Sequence, residues 1–215
     1  DPVKAEQEFR ASGRFAVPEV WYQQPLYYKA NRFSVAPSGK DVVWPAYSEV
    51  MDFELEMACI IGKKGKDISK GNAQDHIFGY TIYNDFSARD AQMLESPGML
   101  GPAKGKDFDD SIILGPVIVT ADELDDPYNL RMQARVNGET WCDSNSNTIH
   151  WKFSDMIAHI SKSETLYPGE VIGSGTVGLG CGLEHLRFLN DGDIVELEIE
   201  KIGVISNKVI RDQCQ

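Results

Sequence analysis

Glu54 and Glu56 stand two positions apart inside the apolar stretch DFELEMACIIG, residues 52–62. Side chains two apart in a β-strand share one face, with their Cα atoms roughly 6.5 to 7 Å apart, so the two carboxylates can converge in front of a sheet. Carboxylates held that close in apolar surroundings repel each other, which raises a pKa unless a cation lies between them. Hard ions such as Mg²⁺ and Ca²⁺ prefer these oxygens. The pair is therefore a candidate site for a divalent cation.

The same spacing recurs in VELEIE, residues 195–200, where Glu196, Glu198 and Glu200 alternate with apolar residues. Glutamates on one face of an alternating strand are typical of a half-buried strand whose polar face contacts water. The second strand is thus an internal control for the first. Spacing alone does not distinguish a cation site from a wet strand face, so the distinction must come from other residues.

Asp85 ends an apolar strand pattern in GYTIYNDFSARDAQ, residues 79–92, and a short helical pattern follows at once. Strand ends hold side chains on a rigid scaffold beside loops, where functional groups concentrate. Taken alone, Asp85 could equally cap the helix, and Arg89 with Asp90 could form an exposed ion pair. Asp85 supports a cation site only in combination with the glutamate pair.

Four segments together resemble the fumarylacetoacetate hydrolase family: DFELEMACIIG, HIFGYTIYNDFSARDAQ, GPAKGKDFD and PGEVIGSGT, in this order. The similarity runs from about residue 18 to about residue 210. It implies an α+β fold, a β-rich mixed-sheet roll of the fumarylacetoacetate hydrolase type, and a homodimer. It also implies that residues 1–17 are the remnant of an N-terminal lid segment and that residues 18–215 form the catalytic domain.

The resemblance gives roles to seven residues. The divalent cation, Mg²⁺ first and Mn²⁺ or Ca²⁺ as alternatives, would be bound by Glu54, Glu56 and Asp85. Lys106 matches the family's active-site lysine. Three further residues match substrate-binding positions: Tyr28, Gln92 and Thr176. Without the resemblance, Lys106 would be taken for a solvated loop lysine, Tyr28 for a core residue and Gln92 for an exposed helical residue.

The implied substrate is a 2-oxo acid or 1,3-dicarbonyl acid, such as an acylpyruvate or a fumarylacetoacetate-like acid. Adjacent oxygens of such an acid chelate the cation, which stabilises the enolate required for C–C bond hydrolysis. Lys106 would add positive charge where the enolate develops. Decarboxylation or tautomerisation of an oxaloacetate-like acid uses the same enolate and is the alternative. A catalytically silent relative that keeps the cation is a further alternative.

The general base for hydrolysis is the point at which the chain departs from the resemblance. Family members usually supply a histidine and a glutamate from an N-terminal segment that closes over the site, and DPVKAEQEFRASGRF, residues 1–15, contains no histidine. Glu6 and Glu8 are the nearby acids, and neither is favoured. The histidines fall elsewhere, at His76, His150, His159 and His185. Asp110 is a smaller departure: many relatives carry threonine there, and another carboxylate could weaken binding of an anionic substrate.

A glycine-rich run, GSGTVG at residues 173–178, formally fits the G-x-G-x-x-G pattern of dinucleotide-binding folds. Such a site requires a following helix within a strand–helix–strand unit. LGCGLEHLRFLNDGD, which comes next, offers too little helix, and no regular strand–helix alternation precedes it. A nucleotide site is therefore rejected, and the glycines are interpreted as a close backbone approach to a bound ligand beside Thr176.

The elements that must hold these residues are mostly strands. Extended patterns cover residues 53–61, 76–84, 112–119, 170–175 and 193–203. Asn137-Gly138 predicts a hairpin turn between two further strands. Helical patterns are fewer: SKGNAQDH with Ser69 as cap, SARDAQMLE, and FSDMIAHISKS with Ser154 as cap. The pattern predicts a β-rich α+β domain.

Composition excludes several classes of function. The net charge of −12 argues against nucleic acid, because binding to phosphates needs clustered Lys and Arg. No apolar run approaches the roughly 18 residues that span a bilayer, and 42% apolar with 25% charged residues is typical of a globular domain. The cysteines are far apart, as expected for free thiols in a reducing compartment. The prediction is a cytoplasmic protein with a small-molecule substrate.

Overall fold

The computed structural model describes residues 17–211 and is built on two five-stranded sheets. The first sheet contains, in spatial order, β1 (Val35–Pro37), β8 (Ile112–Thr120), β6 (Ile77–Asp85), β4 (Leu55–Ile61) and β12 (Val171–Gly173). The second contains β10 (Glu139–Asn145), β9 (Arg131–Val136), β13 (Ile194–Ile199), β14 (Gly203–Arg211) and β2 (Val42–Trp44). Two-stranded ribbons join β3 (Met51–Asp52) to β7 (Ser87–Ala88) and β5 (Gly65–Lys66) to β11 (Thr165–Leu166).

Both main sheets are mixed. β1 runs parallel to β8 and β2 runs parallel to β14, while the other neighbouring strands are antiparallel. The helices are short: α1 (Glu19–Gln23), α2 (Arg89–Glu95), α3 (Ala103–Lys106), α4 (Phe153–Ile160) and α5 (Gly182–His185). The predicted β-rich α+β architecture with mixed sheets is confirmed.

The core lies between the two sheets. Leu55, Met57 and Cys59 of β4 belong to the same buried cluster as Met132 of β9 and Leu197 of β13. Every residue of β4 is buried, so both faces of this strand are covered. In β13, by contrast, buried residues alternate with more accessible ones. The first sheet is thus covered on both sides at β4, and the second sheet has one accessible face at β13.

The structure corrects several predicted element boundaries. Residues 193–203 do not form one strand: β13 ends at Ile199 and β14 begins at Gly203, after a turn in which Lys201 has a φ of 65°. The hairpin at Asn137-Gly138 is confirmed, because both residues have positive φ, 51° and 80°, as a type I′ turn requires.

Of the two predicted helix caps, one is wrong and the other is right in position only. Ser154 lies inside α4, which begins at Phe153 with Lys152 as its N-cap. Ser69 is the N-cap residue of a 3-10 helix, Lys70–His76, as predicted, but its side chain makes no capping hydrogen bond. The pattern located both helical segments, and for α4 it put the cap two residues too late, a deviation that is usual at helix ends.

Residues 1–16 and 212–215 lie outside the described range. Glu6 and Glu8, considered above as general bases, and nearly all of the predicted lid segment 1–17 therefore lie outside the described residues. Within residues 17–211, no helix is long and apolar enough to cross a membrane.

Candidate active site

The register between β4 and β6 brings three carboxylates together. Leu55 lies opposite Asn84 and Glu56 lies opposite Tyr83. Because side chains two apart share a face, this pairing puts the glutamates of one strand beside the aspartate that ends the other. One carboxylate oxygen from each residue lies within 4.8 Å of the other two, in a cluster formed by Glu54, Glu56 and Asp85.

This carboxylate cluster lies on the outer face of the first sheet, away from the second sheet. Leu55 and Met57 point into the main core, whereas Ala58, Tyr83 and Ile112 form a separate small buried group on the opposite face. Glu56 shares that opposite face with Ala58. The predicted sharing of one face is confirmed, and the face is buried rather than wet.

Lys106 is buried at the carboxylate cluster. Its Nζ lies 2.9 Å from Glu54 Oε2 and 3.0 Å from Asp85 Oδ2, and it donates to Ser87 Oγ at 2.7 Å. Burial alone would lower the pKa of Lys106, but the negative charges of Asp85 and Glu54 outweigh it and raise that pKa. The solvated-loop interpretation is therefore wrong for this lysine.

Tyr28 reaches the cluster from the segment that follows α1. Its hydroxyl donates to Asp85 Oδ2 at 2.6 Å. Burial, with the adjacent Asp85 charge as the next cause, raises the pKa of Tyr28 well above its usual range. The tyrosine therefore keeps its proton and acts as a donor to the cluster.

The glycine-rich run approaches the cluster from β12. The backbone N–H of Gly175 donates to Glu56 Oε2 at 2.9 Å, and Thr176 comes next in the chain. A Cβ added at Gly173 would lie 2.6 Å from the same Glu56 oxygen. Glycine at position 173 lets the backbone pass this close to the carboxylate without displacing it. The expected close approach of backbone is present here, and it is made to Glu56.

Arg89 is buried and ion-paired, so the exposed pair considered for Arg89 and Asp90 does not form. Its Nε donates to Asp52 Oδ2 at 2.8 Å, and its Nη1 donates to Glu54 Oε1 at 2.7 Å and to Gln92 Oε1 at 2.9 Å. Burial would lower the pKa of Arg89, but Glu54 and Asp52 raise it. The guanidinium thus fixes the orientations of Glu54 and Gln92.

Asp52 is the residue of this site that the sequence interpretation missed. It is fully buried and also accepts hydrogen bonds from the backbone N–H groups of Gly182 at 2.8 Å and Leu183 at 3.0 Å. A signal was present, because Asp52, Glu54 and Glu56 are spaced two apart and so point to one side of an extended chain. The partner Arg89 carried no such signal, since its contact with Asp52 spans 37 residues.

The charges of the described site do not balance. Within residues 17–211 the group contains two cationic side chains, Arg89 and Lys106. It also contains four carboxylates: Asp52, Glu54, Glu56 and Asp85. The two positive charges can balance only two of the four negative charges. If all are ionised, two negative charges remain in a buried place, where each is costly. A divalent cation would cancel this remainder.

The pKa directions describe the same imbalance. Burial, followed by repulsion from Glu54 and Asp85, raises the pKa of Glu56 well above its usual range. Burial also acts on Glu54, but the charges of Lys106 and Arg89 outweigh it and lower the pKa of Glu54 to about 2. Within the described residues, Asp85 Oδ1 is buried without a hydrogen-bond partner. A carboxylate set with an unpartnered buried oxygen fits the ligand chemistry of a hard divalent ion.

The histidines lie away from the carboxylate cluster. Each ring contacts a backbone oxygen or an aromatic ring: His76 the carbonyl of Lys63, His185 that of Leu179, His150 the ring of Trp21 and His159 the ring of Tyr27. Asp110 is also engaged elsewhere, since its Oδ2 lies 2.7 Å from Lys40 Nζ. Its carboxylate is therefore paired rather than an additional charge at the cluster.

Two curated relatives resemble most of the chain. The mitochondrial oxaloacetate tautomerase FAHD2A of Homo sapiens is 41% identical over 189 residues, which are 87% of this chain and 60% of that protein. Oxaloacetate tautomerase YisK of Bacillus subtilis is 35% identical over 191 residues, 87% of this chain and 62% of that protein. The chain thus spans about 60% of the length of these relatives.

A solved structure and a family model agree with this similarity. The fumarylacetoacetate hydrolase of Exiguobacterium antarcticum superposes with a TM-score of 0.76 at 34% identity, covering 83% of this chain and 64% of that one. The model of the fumarylacetoacetate (FAA) hydrolase C-terminal domain matches residues 3–210. The buried carboxylates, the mixed sheets and these matches lead to one conclusion: the chain belongs to the fumarylacetoacetate hydrolase family of enzymes.

Proposed function

We propose that the chain is a divalent-cation-dependent oxaloacetate tautomerase, which interconverts the keto and enol forms of a 2-oxo acid through an enolate. The observation that carries the proposal is the unbalanced buried charge at Glu54, Glu56 and Asp85, whose oxygens lie within 4.8 Å of one another. The two relatives named as oxaloacetate tautomerases support the reaction. Tautomerisation, the alternative in the sequence interpretation, thereby takes precedence over C–C bond hydrolysis.

The proposed cofactor is Mg²⁺, held by Glu54, Glu56 and Asp85. Carboxylate oxygens suit this ion, which retains water molecules that a chelating acid can displace. When bound, the cation would supply Lewis-acid stabilisation of negative charge on the oxygen atoms of a 2-oxo acid. Mn²⁺ and Ca²⁺ are alternative ions for the same ligands.

Lys106, Tyr28 and Gln92 are proposed to act on the substrate. The Lys106 ammonium holds positive charge and a proton 2.9 to 3.0 Å from carboxylates of the cluster, beside the place where a bound acid would develop enolate charge. Tyr28 is proposed as a substrate contact beside the cluster, where its hydroxyl donates to Asp85 at 2.6 Å. Because Gln92 Oε1 accepts from Arg89, its amide NH₂ remains as a donor. Thr176 is proposed as a substrate contact next to Gly175.

Tautomerisation is favoured over hydrolysis by the chemistry that each requires. Hydrolysis needs a base that activates water, whereas tautomerisation moves one proton and breaks no C–C bond. Within residues 17–211, the four histidines are engaged outside the carboxylate cluster. The described site thus holds groups that stabilise an enolate, and it contains no histidine for activating water.

C–C bond hydrolysis of an acylpyruvate is the second candidate. It is supported by the 34% identity to the fumarylacetoacetate hydrolase of Exiguobacterium antarcticum. Decarboxylation of oxaloacetate would use the same enolate and the same residues. A parallel assay of the three reactions separates the candidates, because decarboxylation of oxaloacetate releases CO₂ with pyruvate, hydrolysis of an acylpyruvate releases a carboxylic acid with pyruvate, and tautomerisation releases neither.

The test measures how fast the purified protein with Mg²⁺ removes enol-oxaloacetate, followed by ultraviolet absorbance against the spontaneous rate. The formation of pyruvate from oxaloacetate and the cleavage of an acylpyruvate are measured in parallel. We expect catalysed tautomerisation, and an approximately 100-fold or greater loss for Lys106→Met, the magnitude typical of removing one stabilising donor. If the rate does not exceed the spontaneous rate, tautomerisation is excluded. If none of the acids is turned over, the chain is instead a catalytically silent relative that keeps the cation.

Two expectations about assembly and location remain predictions. The homodimer is testable by light scattering of the purified protein. The cytoplasmic location is testable by fluorescence microscopy of a tagged chain. The human relative is named as a mitochondrial protein, which makes the mitochondrion the location to compare.

A further inference from the structure

Lys106 lies in a helix too short to fix its own position. α3 contains four residues, Ala103–Lys106, and its N-cap residue Pro102 makes no side-chain capping bond. A single isolated turn of helix is unstable, because nucleation fixes several residues for one hydrogen bond. The placement of the Lys106 ammonium must therefore depend on contacts from outside α3.

Glu95, the last residue of α2, supplies such contacts. Its Oε2 accepts from the backbone N–H of Lys104 at 3.0 Å, and its Oε1 accepts from that of Gly105 at 2.7 Å. These N–H groups belong to the first turn of α3, where no intrahelical acceptor exists. One carboxylate thus caps the helix from the neighbouring element, with hydrogen bonds strengthened by its charge.

α2 and α3 also touch through backbone at Gly105. A Cβ added there would lie 2.5 Å from Gln92 Cβ and 2.7 Å from Gln92 Cα. The connection between the helices gives little support, since Met99 and Leu100 are 90% and 98% exposed. Glu95 therefore bridges the two ends of a poorly anchored loop.

We propose that Glu95 is a positioning residue for Lys106. It holds α3 against α2 and thereby keeps the ammonium at 2.9 Å from Glu54 and 3.0 Å from Asp85. The catalytic consequence rests on the proposed function. The placement itself does not, because it follows from the contacts of Glu95 with the backbone of α3.

The first test compares Glu95→Ala, Glu95→Gln and a matched control, Glu170→Ala. Glu170 also accepts a backbone N–H through its carboxylate, that of Tyr167 at 2.9 Å, in a turn before β12. We expect Glu95→Ala to lower kcat for tautomerisation by about 10- to 100-fold with a smaller change in KM, as misplacement by about 1 Å does. Glu95→Gln keeps an acceptor oxygen for only one of the two N–H groups and turns its NH₂ toward the other, so it should lose less activity than Glu95→Ala but more than the control. Glu170→Ala should match the wild type.

The second test is a double-mutant cycle with Lys106→Met. If Glu95 acts through Lys106, adding Glu95→Ala to Lys106→Met causes no further loss of kcat, because the group to be positioned is gone. A purely structural role would give losses that multiply. Multiplying losses would overturn the proposal.

The third test does not depend on turnover. The Lys106 ammonium competes with a cation for Glu54 and Asp85, so Lys106→Met should tighten Mg²⁺ binding measured by calorimetry, and Glu95→Ala should shift the affinity in the same direction. Glu170→Ala should not. If the wild type does not turn over oxaloacetate but this shift is found, the positioning role stands and the proposed function fails. If Glu95→Ala matches the wild type in both assays, the positioning role is overturned, whatever the wild type catalyses.

Discussion

β4 and β13 carry the same glutamate spacing in opposite environments. Glu54 directly precedes β4 and Glu56 is its second residue; this strand is flanked by β6 and β12 and is buried along its whole length. Glu196 and Glu198 lie on β13, where buried apolar residues alternate with partly exposed glutamates. The sequence pattern is the same, and the covering of the outer face differs.

The two strands also balance their charges differently. On β13, Arg135 lies opposite Glu196 in the sheet, with its Nε 3.4 Å from Glu196 Oε2 and its Nη1 2.8 Å from Glu198 Oε2. Water screens what remains of those charges, so the group needs no ion. At β4 the corresponding charges are buried, and Arg89 with Lys106 leaves part of the negative charge unbalanced. Burial, rather than spacing, makes the first pair a candidate metal site.

The largest expected difference between the two regions is in stability. Arg89→Ala would leave Asp52 buried without a cation and Glu54 with Lys106 as its remaining cation, so we expect a loss of about 3 to 5 kcal/mol in the free energy of unfolding. Arg135→Ala removes an accessible partner and should cost about 0 to 1 kcal/mol. Urea denaturation of both variants measures the difference. Similar losses for the two arginines would contradict the comparison.

Cation affinity should separate the two glutamate pairs next. Glu56→Ala removes a proposed ligand, and we expect Mg²⁺ affinity to fall by more than about 100-fold, since loss of an outer partner alone costs about 10- to 100-fold. Glu198→Ala, at the equivalent position of the control strand, should leave the affinity unchanged. Calorimetric titration measures both. An unchanged affinity in Glu56→Ala would refute the ligand assignment.

A smaller effect is expected from crowding the carboxylate without removing it. Gly173→Ala would put a Cβ 2.6 Å from Glu56 Oε2, which must then move. We expect Mg²⁺ affinity to fall by about tenfold, the lower end of the range for a disturbed supporting group. Gly71→Ala is the matched control, because a Cβ there meets nothing within 4 Å. Equal affinities in the two variants would mean that the contact at position 173 does not orient Glu56.

The smallest effect is expected within the control strand. Glu198→Ala should lower the free energy of unfolding by less than about 1 kcal/mol, because its partner Arg135 keeps access to water and to Glu196. At about 1 M salt this cost should disappear, since screening then acts within about 3 Å. Urea denaturation at low and high salt checks the prediction. A cost that persists at high salt would show that the charge on β13 is not screened.

The sequence was most informative where a pattern and its partner lie in neighbouring strands. The glutamates were found from their spacing, Asp85 from its place at a strand end together with the family resemblance, and the hairpin from the Asn137-Gly138 pair. The cluster of three carboxylates forms as the register of β4 and β6 requires. It was least informative for contacts between distant segments. Arg89 meets Asp52 across 37 residues, and Lys106 meets Asp85 across 21, so neither burial nor partner could be inferred from local pattern.

The sequence by itself determined the elements and the acidic residues that they carry. Strand periodicity fixes which carboxylates share a face, and the ordered motifs fix the family resemblance. Only the tertiary structure decided that β4 is buried where β13 is wet, because burial depends on which elements cover a face rather than on the strand's own residues. The same packing gives Lys106 its place through Glu95. Packing also determines how strongly the carboxylates interact. Water screens the glutamates of β13 on the second sheet, whereas those at β4 on the first sheet form a buried excess of negative charge that a cation would balance.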